Sequence, residues 1–204
     1  MKKMFLASSF KDVMNLFLNF AGDVKGKTVT FIPTASVVEK VNFFVKSGRK
    51  ALEKMGMIVD ELEISTATSD EIINKLTQND FIYITGGNTF FLLQELRKSG
   101  ADKIIIEQVE YGKVYIGESA GAMVVSPDVE FAQMMDSVKK APELVGFHGL
   151  GIVEFYPVPH HTNAPFKKAV EKIIDTYGSK ILLKPISNNQ AILFEKNEVK
   201  VESV

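Results

Sequence analysis

Ser119 stands in Gly117-Glu118-Ser119-Ala120-Gly121, after the apolar run Val114-Tyr115-Ile116 and before Ala122-Met123-Val124-Val125. Small residues on both sides of a serine let the backbone turn sharply, so the hydroxyl stands exposed at a sheet end with a helix N-terminus behind it. That is the layout of a nucleophile elbow, and its chemistry is acyl transfer. A Gly-x-Ser-x-Gly also arises as an ordinary tight turn, so further residues must decide. A serine hydroxyl near neutral pH is a poor nucleophile until a base accepts its proton. The chain has three histidines, His148, His160 and His161. The last two lie in Val158-Pro159-His160-His161-Thr162-Asn163, just after an expected strand over 152–156. A histidine in such a loop is commonly structural or solvated, but an elbow on the same sheet rim turns the reading toward catalysis. His148, between Phe147 and Gly149, reads as packing or surface. The tetrahedral intermediate also needs two N–H donors for its oxyanion. The elbow supplies the backbone N–H of Ala120. A second donor can come from Thr85-Gly86-Gly87-Asn88-Thr89, whose glycines allow close backbone approach; the same turn can equally be read as a helix start capped by Asn88 or Thr89.

The elements that must position these residues follow from periodicity. Strands are expected at 4–7, 28–32, 57–62 and 81–85, from 114 into the elbow at Gly117, and near 152–156. Helical patterns run over 10–20, 37–55, 70–76 (capped by Ser69), 89–98 (stopped by Gly100), 101–111 (stopped by Gly112) and 165–177, and a terminal hairpin over about 191–201. Strands alternating with helices specify an α/β protein: a three-layer α/β/α sandwich around a mainly parallel, doubly wound sheet. Ligands bind such sheets at the carboxyl ends of the strands, where both the elbow and the histidine loop fall.

Composition narrows the partners. A chain of 204 residues, 46% hydrophobic and 24% charged, is long enough for one domain, read as 1–204, with its own core. Twenty-four Lys and Arg nearly balance 25 Asp and Glu with no basic block, which argues against nucleic acid. The absence of cysteine removes disulfides, thiolate metal sites and a cysteine nucleophile, and fits a reducing, cytoplasmic setting. Met1-Lys2-Lys3-Met4-Phe5-Leu6-Ala7 imitates a signal peptide's start, but Lys11-Asp12 follow too soon, so a first strand is expected there. No segment approaches the roughly 20 apolar residues needed to span a bilayer. Gly86-Gly87-Asn88 lacks the Lys-Ser/Thr of a phosphate loop, and the adjacent His160-His161 pair has no cysteine to help hold zinc. No cofactor and no metal are expected, and a monomer or a homodimer fits equally.

Together, Ile84-Thr85-Gly86-Gly87-Asn88-Thr89-Phe90, Tyr115-Ile116-Gly117-Glu118-Ser119-Ala120-Gly121-Ala122 and Pro159-His160-His161-Thr162-Asn163 resemble the motifs of the peptidase E family, serine dipeptidases related to cyanophycinases. The resemblance runs over about 4–195 in order and spacing. It implies a flavodoxin-like sandwich related to class I glutamine amidotransferases. It also implies Ser119 as nucleophile, His160 as general base, and Gly87 with Ala120 as oxyanion donors. Gly86, Asn88, Glu118, His161 and Asn163 fall where substrate would bind. Typical members cut dipeptides with an N-terminal aspartate. Two positions depart from the pattern. The family's acidic triad member lies about fifteen residues after the serine, where this chain has Met134; a two-residue slip supplies Asp136, with Glu154, Glu118 or no acid as alternatives. The arginine that meets an aspartyl side chain is missing, since no arginine follows Arg97 and only Lys167 and Lys168 stand near its place. The expected function is therefore a serine peptidase for dipeptides or short peptides, with an N-terminal Asp left open as a substrate feature rather than required. The alternatives are a catalytically degenerate small-molecule binding protein, or a hydrolase of another amide, isopeptide or ester.

Overall fold

Five short runs rich in β-branched and aromatic residues form the parallel part of one sheet: β1 (Lys3–Ala7), β2 (Thr28–Ile32), β3 (Ile58–Glu61), β4 (Phe81–Ile84) and β5 (Val114–Glu118). The computed structural model describes all 204 residues. Two further strands, β8 (Gln190–Glu195) and β9 (Glu198–Ser203), form the terminal hairpin and add antiparallel to β1, giving the order β3-β2-β4-β5-β1-β8-β9. Counted from β2, the parallel strands follow the flavodoxin order 2-1-3-4, and β1 takes the place of the fifth strand. Helices α1 (Met14–Ala21) and α2 (Phe43–Lys54) bury Phe17, Ala51 and Leu52 on one face with Phe5, Phe31 and Tyr83 of the sheet. On the other face lie α3 (Ser69–Gln78), α4 (Thr89–Ser99), α5 (Ala101–Glu110), α6 (Ala120–Met123) and α7 (Lys167–Tyr177). This is the expected three-layer α/β/α sandwich. No helix is long and apolar enough to cross a membrane.

The two faces divide at the adjacent strands β1 and β5. The chain leaving β1 packs Phe10 and Val13 on the first face, while the chain leaving β5 packs Ala120, Ala122 and Met123 on the second. Their carboxyl ends therefore frame a crevice, the place where ligands bind open α/β sheets. Aromatic packing makes the floor rigid: Phe5, Phe10, Phe17 and Tyr83 meet edge-on at ring separations of 5.1–6.2 Å. Each such ring contributes roughly 1.5–3 kcal/mol by leaving water.

Several boundaries differ from the sequence expectation for local reasons. The first helix breaks into a 3-10 turn over Phe10–Asp12 and α1. The second begins at Phe43 rather than Val37, because Thr34–Ser36 turn as a 3-10 segment against the Gly87 backbone. Thr68, not Ser69, caps α3, its hydroxyl accepting from the Glu71 N–H. Ile152, Val153 and Phe155 are buried but form no strand. Their neighbourhood bonds the loop after α6 instead, with the Leu150, Gly151 and Ile152 N–H groups donating to Val124, Ser126 and Val125 carbonyls. The strand starts where the expected one ended, as β6 (Tyr156–Val158), and pairs in parallel with an unexpected β7 (Leu183–Pro185). This small sheet carries the histidine loop and the loop after β7 to the crevice.

Candidate active site

Ser119 occupies φ 51°, ψ −105°, a strained conformation for a residue with a side chain. Three bonds hold it there: its N–H donates to the Ala7 carbonyl of β1 at 2.9 Å, and its own carbonyl accepts from the Ala122 and Met123 N–H groups at 2.9 Å each. The flanking glycines are steric requirements. A Cβ on Gly117 would stand 2.4 Å from the Gly121 carbonyl oxygen, and one on Gly121 would stand 2.3 Å from that of Ile84. The elbow can therefore lie against β4 only with glycine at both positions.

From that turn the Ser119 Oγ reaches His160 Nε2 at 2.9 Å. His160 itself sits at φ 65°, with its ring stacked on Phe166 at 5.0 Å. Its Nδ1 meets the Asn188 Oδ1 at 3.0 Å. The neutral tautomer that fits both contacts carries the proton on Nδ1, donating to Asn188, and leaves the Nε2 lone pair for the serine hydroxyl. Burial lowers the His160 pKa, and the bond to Asn188 only partly opposes it. The arrangement is a serine, a neutral imidazole and an amide in line.

The expectation that Asp136 orients the imidazole is corrected here. Asp136 Oδ2 accepts from the Thr89 N–H at 2.9 Å and the Thr89 hydroxyl at 2.6 Å, so its carboxylate holds the first turn of α4. Burial pushes its pKa up to about 6, against the lowering effect of the Thr89 bonds and with nearby Glu39 adding to the rise. Met134 packs against the core, and Glu154 is exposed. Asn188 was not legible as a partner because it lies in Ser187-Asn188-Asn189-Gln190, a polar run that reads only as the turn before β8. Its link to the site is spatial: the Asn188 N–H donates to Asn163 Oδ1 at 2.9 Å, tying the β7–β8 loop to the histidine loop.

Gly86 and Gly87 bring the β4–α4 turn beside the elbow. A Cβ on Gly86 would be 3.2 Å from the Ser119 Cβ, and one on Gly87, at φ 138°, would fall 2.2 Å from the Ala35 carbonyl oxygen. The Gly87 and Ala120 N–H groups have no acceptor within the chain, the condition for donors awaiting an oxyanion. The remaining sequence-picked residues have other contacts. The Asn88 side chain accepts from the Phe91 N–H and donates to the Ser137 carbonyl, capping α4. The Glu118 carboxylate accepts from the Phe10 N–H at 2.9 Å and the Tyr83 hydroxyl at 2.7 Å, and burial raises its pKa. His161 donates its N–H to the Ile186 carbonyl, and its side chain does not line the cleft. Asn163 likewise supports Asn188 rather than lining the cleft. His148 is at the surface, 4.0 Å from Asp128.

The cleft over Ser119 and His160 has a volume of about 750 Å³. Phe43, Phe44, Met123, Met135 and Phe166 give it apolar walls, and Asp12, Glu39, Glu118 and Asp136 give it acidic ones. Its two cations are Lys11 and Lys140, and Lys140 is paired with Glu39 at 2.7 Å. Neither arginine enters: Arg49 pairs with Glu61, and Arg97 donates to the Val145, Gly146 and His148 carbonyls. Lys167 and Lys168 are exposed on α7 and do not line the cleft. No three His, Cys, Asp or Glu side chains converge as a metal site would require.

Comparison with known proteins gives the same architecture and a chemical class. The model of peptidase family S51 matches residues 4–202. An uncharacterized peptidase of Listeria monocytogenes is 54% identical over 199 residues, covering 98% of this chain and 97% of its own. Peptidase E of Haemophilus influenzae is 35% identical over 137 residues, 63% of this chain and 61% of its own. Among solved structures, a crystal structure of a candidate peptidase E protein from Listeria monocytogenes superposes with a TM-score of 0.96 at 52% identity, covering 100% of this chain and 99% of that one. A peptidase from an acI-B1 actinobacterium shares the fold, with a TM-score of 0.72 at 22% identity, covering 100% of this chain and 88% of that one.

Proposed function

The chain belongs to peptidase family S51, and from that premise we propose that it hydrolyses dipeptides or other short peptides through an acyl-enzyme on Ser119. The observation that carries this reading is the continuous line Ser119 Oγ to His160 Nε2 to His160 Nδ1 to Asn188 Oδ1, at 2.9 and 3.0 Å, on a strained elbow.

In the first step His160 Nε2 takes the hydroxyl proton as Ser119 Oγ bonds to the scissile carbonyl carbon. The carbonyl oxygen becomes an oxyanion between the Ala120 and Gly87 N–H groups, and the proton on Nε2 passes to the leaving amine as the C–N bond breaks. An ester to Ser119 remains. Water then attacks that ester, giving its proton to Nε2, and collapse returns the proton to Ser119 Oγ and releases the acid. Asn188 holds the imidazole in the productive tautomer. Being neutral, it offers the transient imidazolium less stabilisation than a carboxylate would.

The cleft shapes the substrate preference. Bidentate capture of a side-chain carboxylate is guanidinium chemistry, and only Lys11 stands free of a carboxylate partner among the cleft's cations. Peptides with N-terminal aspartate are therefore expected to gain little over peptides with apolar side chains. The test is release of free amino acids from a dipeptide panel with and without N-terminal Asp, by the wild type and Ser119→Ala in parallel. Serine-dependent cleavage supports the reading, and equal rates in both proteins overturn it.

A further inference from the structure

We propose that Ser8, a residue outside the nucleophile, base and oxyanion set, is the positioning residue that holds these groups in register. The inference rests on the reading of Ser119 and His160 given above. Ser8 is buried, 2% exposed, directly beyond the end of β1. Its hydroxyl makes one bond of each kind available to it. It donates to the Ile186 carbonyl at 2.9 Å and accepts from the His160 N–H at 3.0 Å. The preceding residue supplies the Ala7 carbonyl that takes the Ser119 N–H. Two consecutive residues of β1 and its exit thus touch all three carriers: the elbow through Ala7, the histidine loop through Ser8, and the segment leading to Asn188 through Ile186.

The need for such a tie follows from the backbone. His160 at φ 65° and Thr162 at φ 68° are conformations that side-chain-bearing residues keep only when their surroundings over-determine them. The other bonds from that loop, His161 N–H to Ile186, Asn188 N–H to Asn163 and His160 Nδ1 to Asn188, join it to the β7–β8 loop, which reaches the sheet only further on, where β8 pairs with β1. Without Ser8, the histidine loop keeps only those indirect ties to the sheet, through the β7–β8 loop and β8, and the Nε2–Oγ distance is free to change. Ser8 is the hydroxyl that bonds both loops directly to the exit of β1, beside Ser119.

The experiment is the rate of covalent labelling of Ser119 by a fluorophosphonate, located by mass spectrometry, alongside kcat and KM on a cleaved peptide. Wild type labelled at Ser119, with no label in Ser119→Ala, checks the underlying reading first; an unlabelled wild type overturns that reading, not the role of Ser8 within it. Given labelling, Ser8→Ala is expected to slow it and to lower kcat by roughly 10- to 100-fold, the scale of a small misplacement of reacting groups, with KM close to wild type. Ser8→Thr, which keeps the hydroxyl, is expected to restore most of the rate. Where Ser8→Ala does not fold, Ser8→Cys replaces the hydroxyl with a weak donor of similar shape and carries the same expectation. A folded Ser8→Ala or Ser8→Cys that labels and turns over at the wild-type rate, or that changes only KM, overturns the proposal.

Discussion

The partner of His160 is an amide, and that choice has consequences that separate Asn188 from Asp136. Asn188→Ala removes the acceptor at Nδ1 and frees the ring to turn or change tautomer. A fall in kcat of roughly 100-fold is expected, the scale of lost orientation at a reacting group. Asp136→Asn leaves the imidazole's contacts untouched, so kcat should stay near wild type; the opposite ranking in steady-state kinetics would restore Asp136 as the orienting group. The pH profile gives an independent check. Burial disfavours the imidazolium and lowers the His160 pKa below its ordinary 6.5. The base must be neutral to act, so activity is lost as pH falls through that lowered value, and the acidic limb of kcat/KM should lie below pH 6.5. Asn188→Asp places a negative charge beside Nδ1 and favours the cation. The limb should then move to higher pH, and a limb that stays in place would show that residue 188 does not face the ring during catalysis. The Ser119 motif was readable because part of its steric need is local: a Cβ on Gly117 would stand 2.4 Å from the carbonyl oxygen of Gly121 in the same turn. Asn188 was not, because an asparagine in a polar turn has the same local signature whether or not a histidine faces it.

Among the elements, the elbow and its neighbours behave as one rigid joint. Gly117 and Gly121 face each other across the turn, the Tyr115 hydroxyl donates to the Gly121 carbonyl at 2.6 Å, and the β4 backbone closes the other side. Gly121→Ala forces a methyl into backbone that cannot yield without moving β4 or α6. A loss of about 1–3 kcal/mol is expected, as for other overpacked sites, read as a lower urea midpoint, together with a fall in kcat as Ser119 moves. A variant with wild-type midpoint and kcat would show that the joint is softer than its geometry implies. Strands and helices with strong periodicity, β1, β2, β4, β5 and α3 to α5, were legible because burial on both faces imposes apolar runs and helices impose their own spacing. The strand expected near 152–156 begins only at Tyr156 because burial and strand pairing come apart: Ile152, Val153 and Phe155 are buried while the local backbone bonds a loop. β7 carries Lys184 and Pro185 in three residues, too short and too mixed to register as a strand.

Over the whole molecule, the site joins segments from both faces of the sheet, so titration in the cleft is coupled to folding. Asp136 has its pKa raised from 3.8 to about 6 because the folded state buries its charge. The unfolded chain therefore ionises first as pH rises, and its ionisation draws the equilibrium toward unfolding between about pH 4 and 6. The cost is absent below that window and fully present above it. Asp136→Asn removes the titration and keeps an oxygen for Thr89. It should match the wild type near pH 4 and be more stable by about 1 kcal/mol or more at pH 7–8, each unit of pKa being 1.36 kcal/mol. Equal midpoints in urea at both pH values would show that the carboxylate is better solvated than its surroundings indicate. By itself the sequence determined the layered α/β/α architecture, the elbow at Ser119 and the histidine loop on the same rim, because apolar periodicity and glycine requirements act over a few residues. Only the tertiary structure decided that Asn188 rather than Asp136 meets His160, and that the Ser8 hydroxyl spans the histidine loop and Ile186. It also decided that neither arginine enters the cleft. Those are contacts between segments 28 to 178 residues apart, and what fixes them is how the packed layers bring loops together, which no residue's own neighbours in sequence can encode.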